Sequence, residues 1–179
     1  MLIGLTGTNA SGKGTIAEYL KQKGFDYISL SDELRELMSL EGIPVTRANM
    51  IVQGTNYRTK EGLGYFAELA LKKVGRNAVI DSIRNEGEVL ALKKRKDFVL
   101  LSVDAPAEIR YERSKMRGRM GDGETLDAFN QRQEQEMAGE GAGQNIRKCM
   151  AFADYRIIND GNKEKLYKKV EELLKDASE

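Results

Sequence analysis

The run Gly7-Thr8-Asn9-Ala10-Ser11-Gly12-Lys13-Gly14-Thr15 has the residue types and spacing to hold a phosphate. It reads G-x-x-x-x-G-K-G-T. The apolar run Leu2–Thr6 precedes it, and Ile16, Ala17, Tyr19 and Leu20 follow at helical spacing. Strand, glycine loop and helix together are the context in which this motif binds phosphate. Loop N–H groups and the helix N-terminus can surround an anion, and Lys13 adds a mobile positive charge. The expectation is a nucleoside triphosphate site built from Gly7, Asn9, Ala10, Ser11, Gly12, Lys13, Gly14 and Thr15. A Ser or Thr usually follows the lysine directly and meets Mg²⁺. Here Gly14 fills that place, and the hydroxyl falls to Thr15.

Four further groups have types suited to phosphoryl chemistry. In Ser31-Asp32-Glu33-Leu34-Arg35, Asp32 and Arg35 lie one turn apart at a helix start. Arg35 can fork onto an acceptor phosphate, and Asp32 can take a proton from an acceptor hydroxyl. The plainer alternative is that Ser31 or Asp32 caps the helix and Arg35 is solvated. In Val79-Ile80-Asp81-Ser82-Ile83-Arg84, an apolar strand ends in an acid suited to Mg²⁺, often through water. Arg84, three residues on, can return toward an acceptor phosphate. Arg110, Arg113, Arg117 and Arg119 lead into Gly118, Gly121 and Gly123, and Arg132 returns on the next helical segment. Arginines on a glycine-rich segment can close over a triphosphate and offset its charge. An ordinary basic helix face with a flexible loop is the alternative. Asn159-Asp160-Gly161 ends a strand in a polar turn whose amides can read a base edge, though such a turn is often only a turn. Arg58, followed by Gly62-Leu63-Gly64, is a further candidate for the acceptor side.

Composition limits the alternatives. The 179 residues carry a net charge of +1, so no global basic field attracts nucleic acid. Histidine is absent, which removes every mechanism that needs it as base, nucleophile or zinc ligand, and leaves base work to carboxylates. The one cysteine, Cys149, rules out an internal disulfide and suits a reducing compartment. Its helical, mostly apolar setting points to the core. No apolar run approaches 18 residues and no leader pattern is present, so the expectation is a cytoplasmic protein with no membrane span.

These groups need elements to hold them. Strands are predicted at Leu2–Thr6, Tyr27–Leu30, Ala78–Asp81, Phe98–Asp104 and Arg156–Asn159. Helical patterns fill the intervals: Lys13–Lys23, Asp32–Leu40, Arg47–Lys60, Gly64–Val74, Glu86–Lys93, Ala107–Met116, Thr125–Ala138, Gly143–Ala153 and Lys163–Lys175. The alternation implies an α/β fold with a parallel sheet and helices on both faces. Ligands of such sheets bind at the carboxyl ends of the strands. Each predicted strand ends in polar residues, so one shared cleft is expected. No repeat or linker divides residues 1–179, which read as one domain.

Together these residues resemble the nucleoside monophosphate kinase branch of the phosphate-loop NTPases, in order along nearly the whole chain. G-x-x-x-x-G-K-G-T and the Arg-rich segment look like adenylate kinase. Ser31–Arg35 is similar to that group's acceptor region, and Asp81 with Arg84 looks like its D-x-x-R motif without the usual glycine and proline between. Ala153-Asp154 through Gly161 looks like the last strand of dephospho-coenzyme A kinase, A-D-x-x-I-x-N-x-G.

The resemblance implies a three-layer, five-stranded fold with a helical lid at about 113–132 and an acceptor region at about 31–75. It implies ATP and Mg²⁺ as donor and metal, Lys13 on the β- and γ-phosphates, and Thr15 and Asp81 toward the metal. Arg84, Arg113, Arg117, Arg119 and Arg132 would offset the transferred charge, with Asn159 and Gly161 beside the donor base. Without a Cys cluster, no structural zinc is implied. The acceptor is a small molecule: a nucleoside monophosphate first, held by Ser31, Arg35, Arg58 and Arg84. A hydroxyl acceptor is the alternative, with Asp32 as base. An NTP-binding regulator or ATPase without such an acceptor is the third reading.

Overall fold

The computed structural model describes residues 1–118 and 125–177. Arg119, assigned above to the donor phosphates, lies outside the described residues. Five strands, β1 (Leu2–Gly7), β2 (Asp26–Ser29), β3 (Ala78–Asp81), β4 (Phe98–Asp104) and β5 (Tyr155–Ile158), form one parallel sheet in the order β2-β3-β1-β4-β5. The described helices are α1 (Lys13–Gln22), α2 (Leu30–Leu40), α3 (Arg47–Glu61), α4 (Tyr65–Leu71), α5 (Glu86–Leu92), α6 (Ala107–Arg117), α7 (Leu126–Met137), α8 (Ile146–Ala151) and α9 (Lys163–Asp176).

β1 is central because all of its side chains are apolar or small and buried, as a strand covered on both faces requires. It pairs Leu2–Gly4 with Ala78–Ile80 on one side and Leu2–Gly7 with Phe98–Val103 on the other. Alternation along the strands sends side chains to two cores. Leu2, Ile80 and Leu100 join Leu34, Met38, Phe66 and Val89 of α2, α4 and α5. Ile3, Leu5, Val79, Leu101 and Val103 join Ile16 and Leu20 of α1 and Leu166 and Val170 of α9. Each such side chain contributes about 1.5–3 kcal/mol by leaving water. Cys149 lies in the first core, where burial pushes its thiol up to about 12, so it stays protonated and packs as an apolar group.

The predicted helix starts are mostly right, with a physical cause where they are not. α8 begins only at Ile146, because Asn145 caps it, accepting from Lys148 N and donating to the Gly139 carbonyl. α2 begins earlier than predicted, at Leu30 after extended Ser29, with no side-chain cap. Ser31 and Asp32 therefore stand inside its first turn, and neither is a cap.

Arg58, a candidate for the acceptor side, has a side chain only 7% exposed, its Nε donates to Glu88 Oε1 at 2.8 Å, and it lines a small pocket with Ser31, Ser82 and Arg84. Glu88 is fully buried, and its other oxygen accepts from the backbone N–H groups of Arg84 and Asn85, completing the capping box that starts α5. Arg58 is the counter-charge of that cap, and it locks α3 to the chain that leaves β3.

Candidate active site

The sheet is parallel, so β1 and β3 deliver their carboxyl ends to one edge, beside the point where connections turn from one side of β1 to the other. A cleft of about 920 Å³ opens there. Its walls include Gly7, Asn9, Ala10, Gly12, Lys13, Gly14 and Thr15 from the loop after β1; Ser31, Asp32 and Arg35 from α2; Asp81 and Arg84 after β3; Arg113 and Arg117 from α6; and Asn159 and Gly161 after β5.

The loop is shaped by three left-handed residues: Gly7 at φ 129°, Ala10 at φ 58° and Gly12 at φ 108°. Such turns aim successive N–H groups into one concavity. A Cβ on Gly7 would lie 2.0 Å from the Val103 carbonyl oxygen, so only glycine fits between β1 and β4. α1 starts after Gly12 with no side-chain cap and no acid in its first turn. Its first N–H groups and its dipole are left to an anion.

Lys13 spans the loop, donating to the carbonyls of Gly7 at 2.8 Å and Thr8 at 2.7 Å. Burial brings its pKa down from 10.5 to about 8. Asp81 and Glu136 oppose that fall, while Arg84 and Arg117 deepen it. The loop is tied at its base, where Thr8 Oγ1 donates to Asp104 Oδ1 at 2.6 Å. Ser11 is buried beneath it, and its carbonyl accepts from Asn159 Nδ2 at 2.8 Å.

Asp81 is nearly buried. Its oxygens accept from the Ser82 N–H at 2.6 Å and the Tyr27 hydroxyl at 3.2 Å. Burial and the Asp81 charge raise the Tyr27 pKa, so the phenol remains a donor. Ser82 adopts a positive φ of 65° just after the carboxylate, a strained turn for a residue with a side chain. Among the described residues no three acidic, histidine or cysteine side chains converge on a metal position. One carboxylate and one hydroxyl suit Mg²⁺, which keeps waters and takes its other ligands from phosphates.

The arginines divide by partner. Arg84 and Arg35 line the cleft, and Arg35 Nη1 lies 2.5 Å from Asp32 Oδ1. Arg117 Nη2 donates to Asn9 Oδ1 at 3.1 Å, joining α6 to the phosphate loop. Arg113 donates to the carbonyls of Asn159 at 3.1 Å and Gly161 at 3.3 Å, so it holds the turn after β5 while facing the cleft. Arg110 is buried against the Ala105 carbonyl and belongs to the framework. Arg132 is partly buried on α7 and is not among the described residues lining the cleft. It stands one helical turn before Glu136, which does line it. Glu136, Tyr27 and Ser82 are wall residues that the sequence reading missed. For Ser82 the only signal was its place in the run from Asp81 to Arg84.

A family model described as an AAA domain matches residues 3–138, from β1 through α7. A UPF0200 protein of Sulfurisphaera tokodaii is 34% identical over 97% of this chain and 96% of its own length. The chain belongs to the UPF0200 family and carries an AAA domain. Two solved structures share the fold of this UPF0200 chain. Shikimate kinase from Aquifex aeolicus superposes with a TM-score of 0.55 at 23% identity, covering 99% of this chain and 98% of that one. APS kinase from Mycobacterium tuberculosis does so with a TM-score of 0.55 at 20% identity, covering 97% and 96%. The UPF0200 fold seen here is thus that of the phosphate-loop kinases. No helix among the described residues is long and apolar enough to cross a membrane.

Proposed function

We propose that this protein transfers the γ-phosphoryl group of Mg·ATP to a small acceptor. The observation that carries the proposal is the convergence of the Lys13 loop, Asp81 and Arg84 on one cleft. The loop amides and Lys13 hold the β- and γ-phosphates. Thr15 and Asp81 would hold Mg²⁺, directly or through water; when bound, the ion would neutralise charge that develops on the donor phosphates. Arg84, Arg113 and Arg117 face the space where charge spreads during transfer, and there positioning and electrostatics supply most of the rate. Asn159 and Gly161 flank the donor base. The expected lid, about 113–132, includes residues 119–124, which lie outside the described residues.

On the acceptor side, Arg35 and Arg84 favour a substrate that carries an anionic group. A nucleoside monophosphate fits that requirement and needs no base, since its phosphate is already a nucleophile. Asp32 favours a second reading. Its carboxylate is 61% exposed and paired to Arg35, an arrangement suited to orienting a hydroxyl next to an anion, as in a dephospho-coenzyme A kinase-like reaction. Incubation with Mg·ATP and separate acceptors decides between them. Product from AMP, CMP, UMP or GMP supports the first reading, and product only from dephospho-coenzyme A or another alcohol supports the second. No product from any acceptor contradicts both.

A further inference from the structure

Glu136 in the cleft wall, and Arg47 paired to it, have no task in the transfer just described. Arg47 opens α3, Glu136 stands in the last turn of α7, and Arg47 Nη2 lies 2.6 Å from Glu136 Oε1. Each sits at the unfavourable end of its own helix. A helix N-terminus disfavours a cation and a C-terminus disfavours an anion. α3 has no acid in its first turn to compensate, and α7 has no base in its last. Helix stability therefore does not explain either residue. The pair is partly buried, with Arg47 34% and Glu136 14% exposed, so it offsets part of that cost, but pairing alone does not account for an acid in the cleft wall at Glu136. Its carboxylate forms part of the cleft wall with Lys13, Asp81 and Arg84. Its charge acts on Lys13 next in strength after those two neighbours. Local rules broken at both partners, around a shielded carboxylate at the phosphate end of a cleft, mark a functional position.

We infer that Glu136 accepts the proton of a hydroxyl-bearing phosphoryl acceptor and that Arg47 holds the Glu136 carboxylate in position. The inference rests on the phosphotransfer reading and selects its hydroxyl branch. A monophosphate acceptor has no proton to lose at neutral pH, and a carboxylate beside Lys13 repels it. A hydroxyl is a poor nucleophile until a base takes its proton. Glu136 is the better-shielded candidate, at 14% exposure against 61% for Asp32. In the step, a lone pair of the hydroxyl oxygen forms the new bond to the γ-phosphorus. The bond from that phosphorus to the β,γ-bridging oxygen breaks, and its electrons leave with ADP. The hydroxyl proton passes to the Glu136 carboxylate, which later releases it to solvent. Arg47 is a positioning residue, because it acts through Glu136.

The test uses the full chain, as wild type, Glu136→Gln and Glu136→Ala. Each is given Mg·ATP with water alone, with a panel of small alcohols, sugars and nucleosides, with dephospho-coenzyme A, and with nucleoside monophosphates; ATP affinity is measured separately by calorimetry. Glu136→Gln keeps a hydrogen-bond acceptor for Arg47 and so guards against a folding defect. The expected result is transfer to a hydroxyl, a fall of about 10²-fold or more in kcat for Glu136→Gln that exceeds any change in ATP affinity, and partial recovery of Glu136→Ala by added formate. Transfer only to monophosphates overturns the inference. So does an unimpaired Glu136→Gln, a Glu136→Ala that formate does not restore, or bound ATP with no transfer to any hydroxyl, water included. Failure of the wild type to bind Mg·ATP overturns the phosphotransfer reading itself.

Discussion

Lys13 shows how one residue can be costly to the fold and necessary to the site. Burial lowers its pKa to about 8, and its charge is met by loop carbonyls and by Asp81 and Glu136. A bound phosphate would favour the ammonium form. Nucleotide affinity should therefore fall as pH rises through about 8, and binding near that pH should take up protons. Calorimetry in buffers of different ionisation enthalpy reads both; affinity flat to pH 9.5 without uptake would contradict the assignment. For stability the sign is the reverse of a salt-bridged lysine. The folded value lies below the unfolded one, so the unfolded chain binds the extra proton between about pH 8 and 10.5. The destabilising contribution is complete below pH 8 and disappears as pH approaches 10.5. Lys13→Met should consequently melt no lower than wild type at pH 7 while losing about tenfold to a hundredfold in ATP affinity, as expected for a charged hydrogen bond.

Among the elements, the unit of α3, the β3–α5 turn and α5 bears most directly on the site. Arg58 and Glu88 form a buried pair, and Glu88 also fixes the backbone at Arg84, which lines the cleft. Arg58→Ala would leave Glu88 buried without its counter-charge. The expected loss is about 3–5 kcal/mol in urea unfolding, with weaker acceptor binding because Arg84 loses its anchor. A loss below about 1 kcal/mol would place the pair in the class of exposed bridges. Local signals made the elements legible: the apolar run of β1, the glycines of the loop, and the alternation of strand and helix. The nearness of Asp81 and Arg84 was also legible, because only two residues separate them after the strand. The Arg58–Glu88 pair was not legible, because the partners lie 30 positions apart and local spacing carries no trace of it. The Arg47–Glu136 pair is separated by 89 positions and was missed for the same reason. Arg113 was foreseen in the cleft, but its hold on the Asn159–Gly161 turn depends on how α6 packs.

At the scale of the whole molecule, a parallel sheet brings residues from four separate stretches of chain to one edge. The carboxyl ends of β1, β3 and β5 and the starts of α1 and α2 surround a single cleft, and α6 and α7 add Arg113, Arg117 and Glu136 to its wall. Cationic Lys13, Arg35, Arg84, Arg113 and Arg117 face anionic Asp32, Asp81 and Glu136 there. With a net charge of only +1, it is this local charge arrangement that would draw an anionic substrate into the cleft. The same cleft would serve an NTP-dependent regulator, which hydrolyses nucleotide without a small acceptor. Phosphorus NMR of Mg·ATP turned over with the pooled acceptors separates the two most directly. The account predicts that the γ-phosphate signal declines as a phosphoester signal grows in equal amount with ADP. ADP accompanied only by inorganic phosphate, whatever acceptor is present, would contradict it.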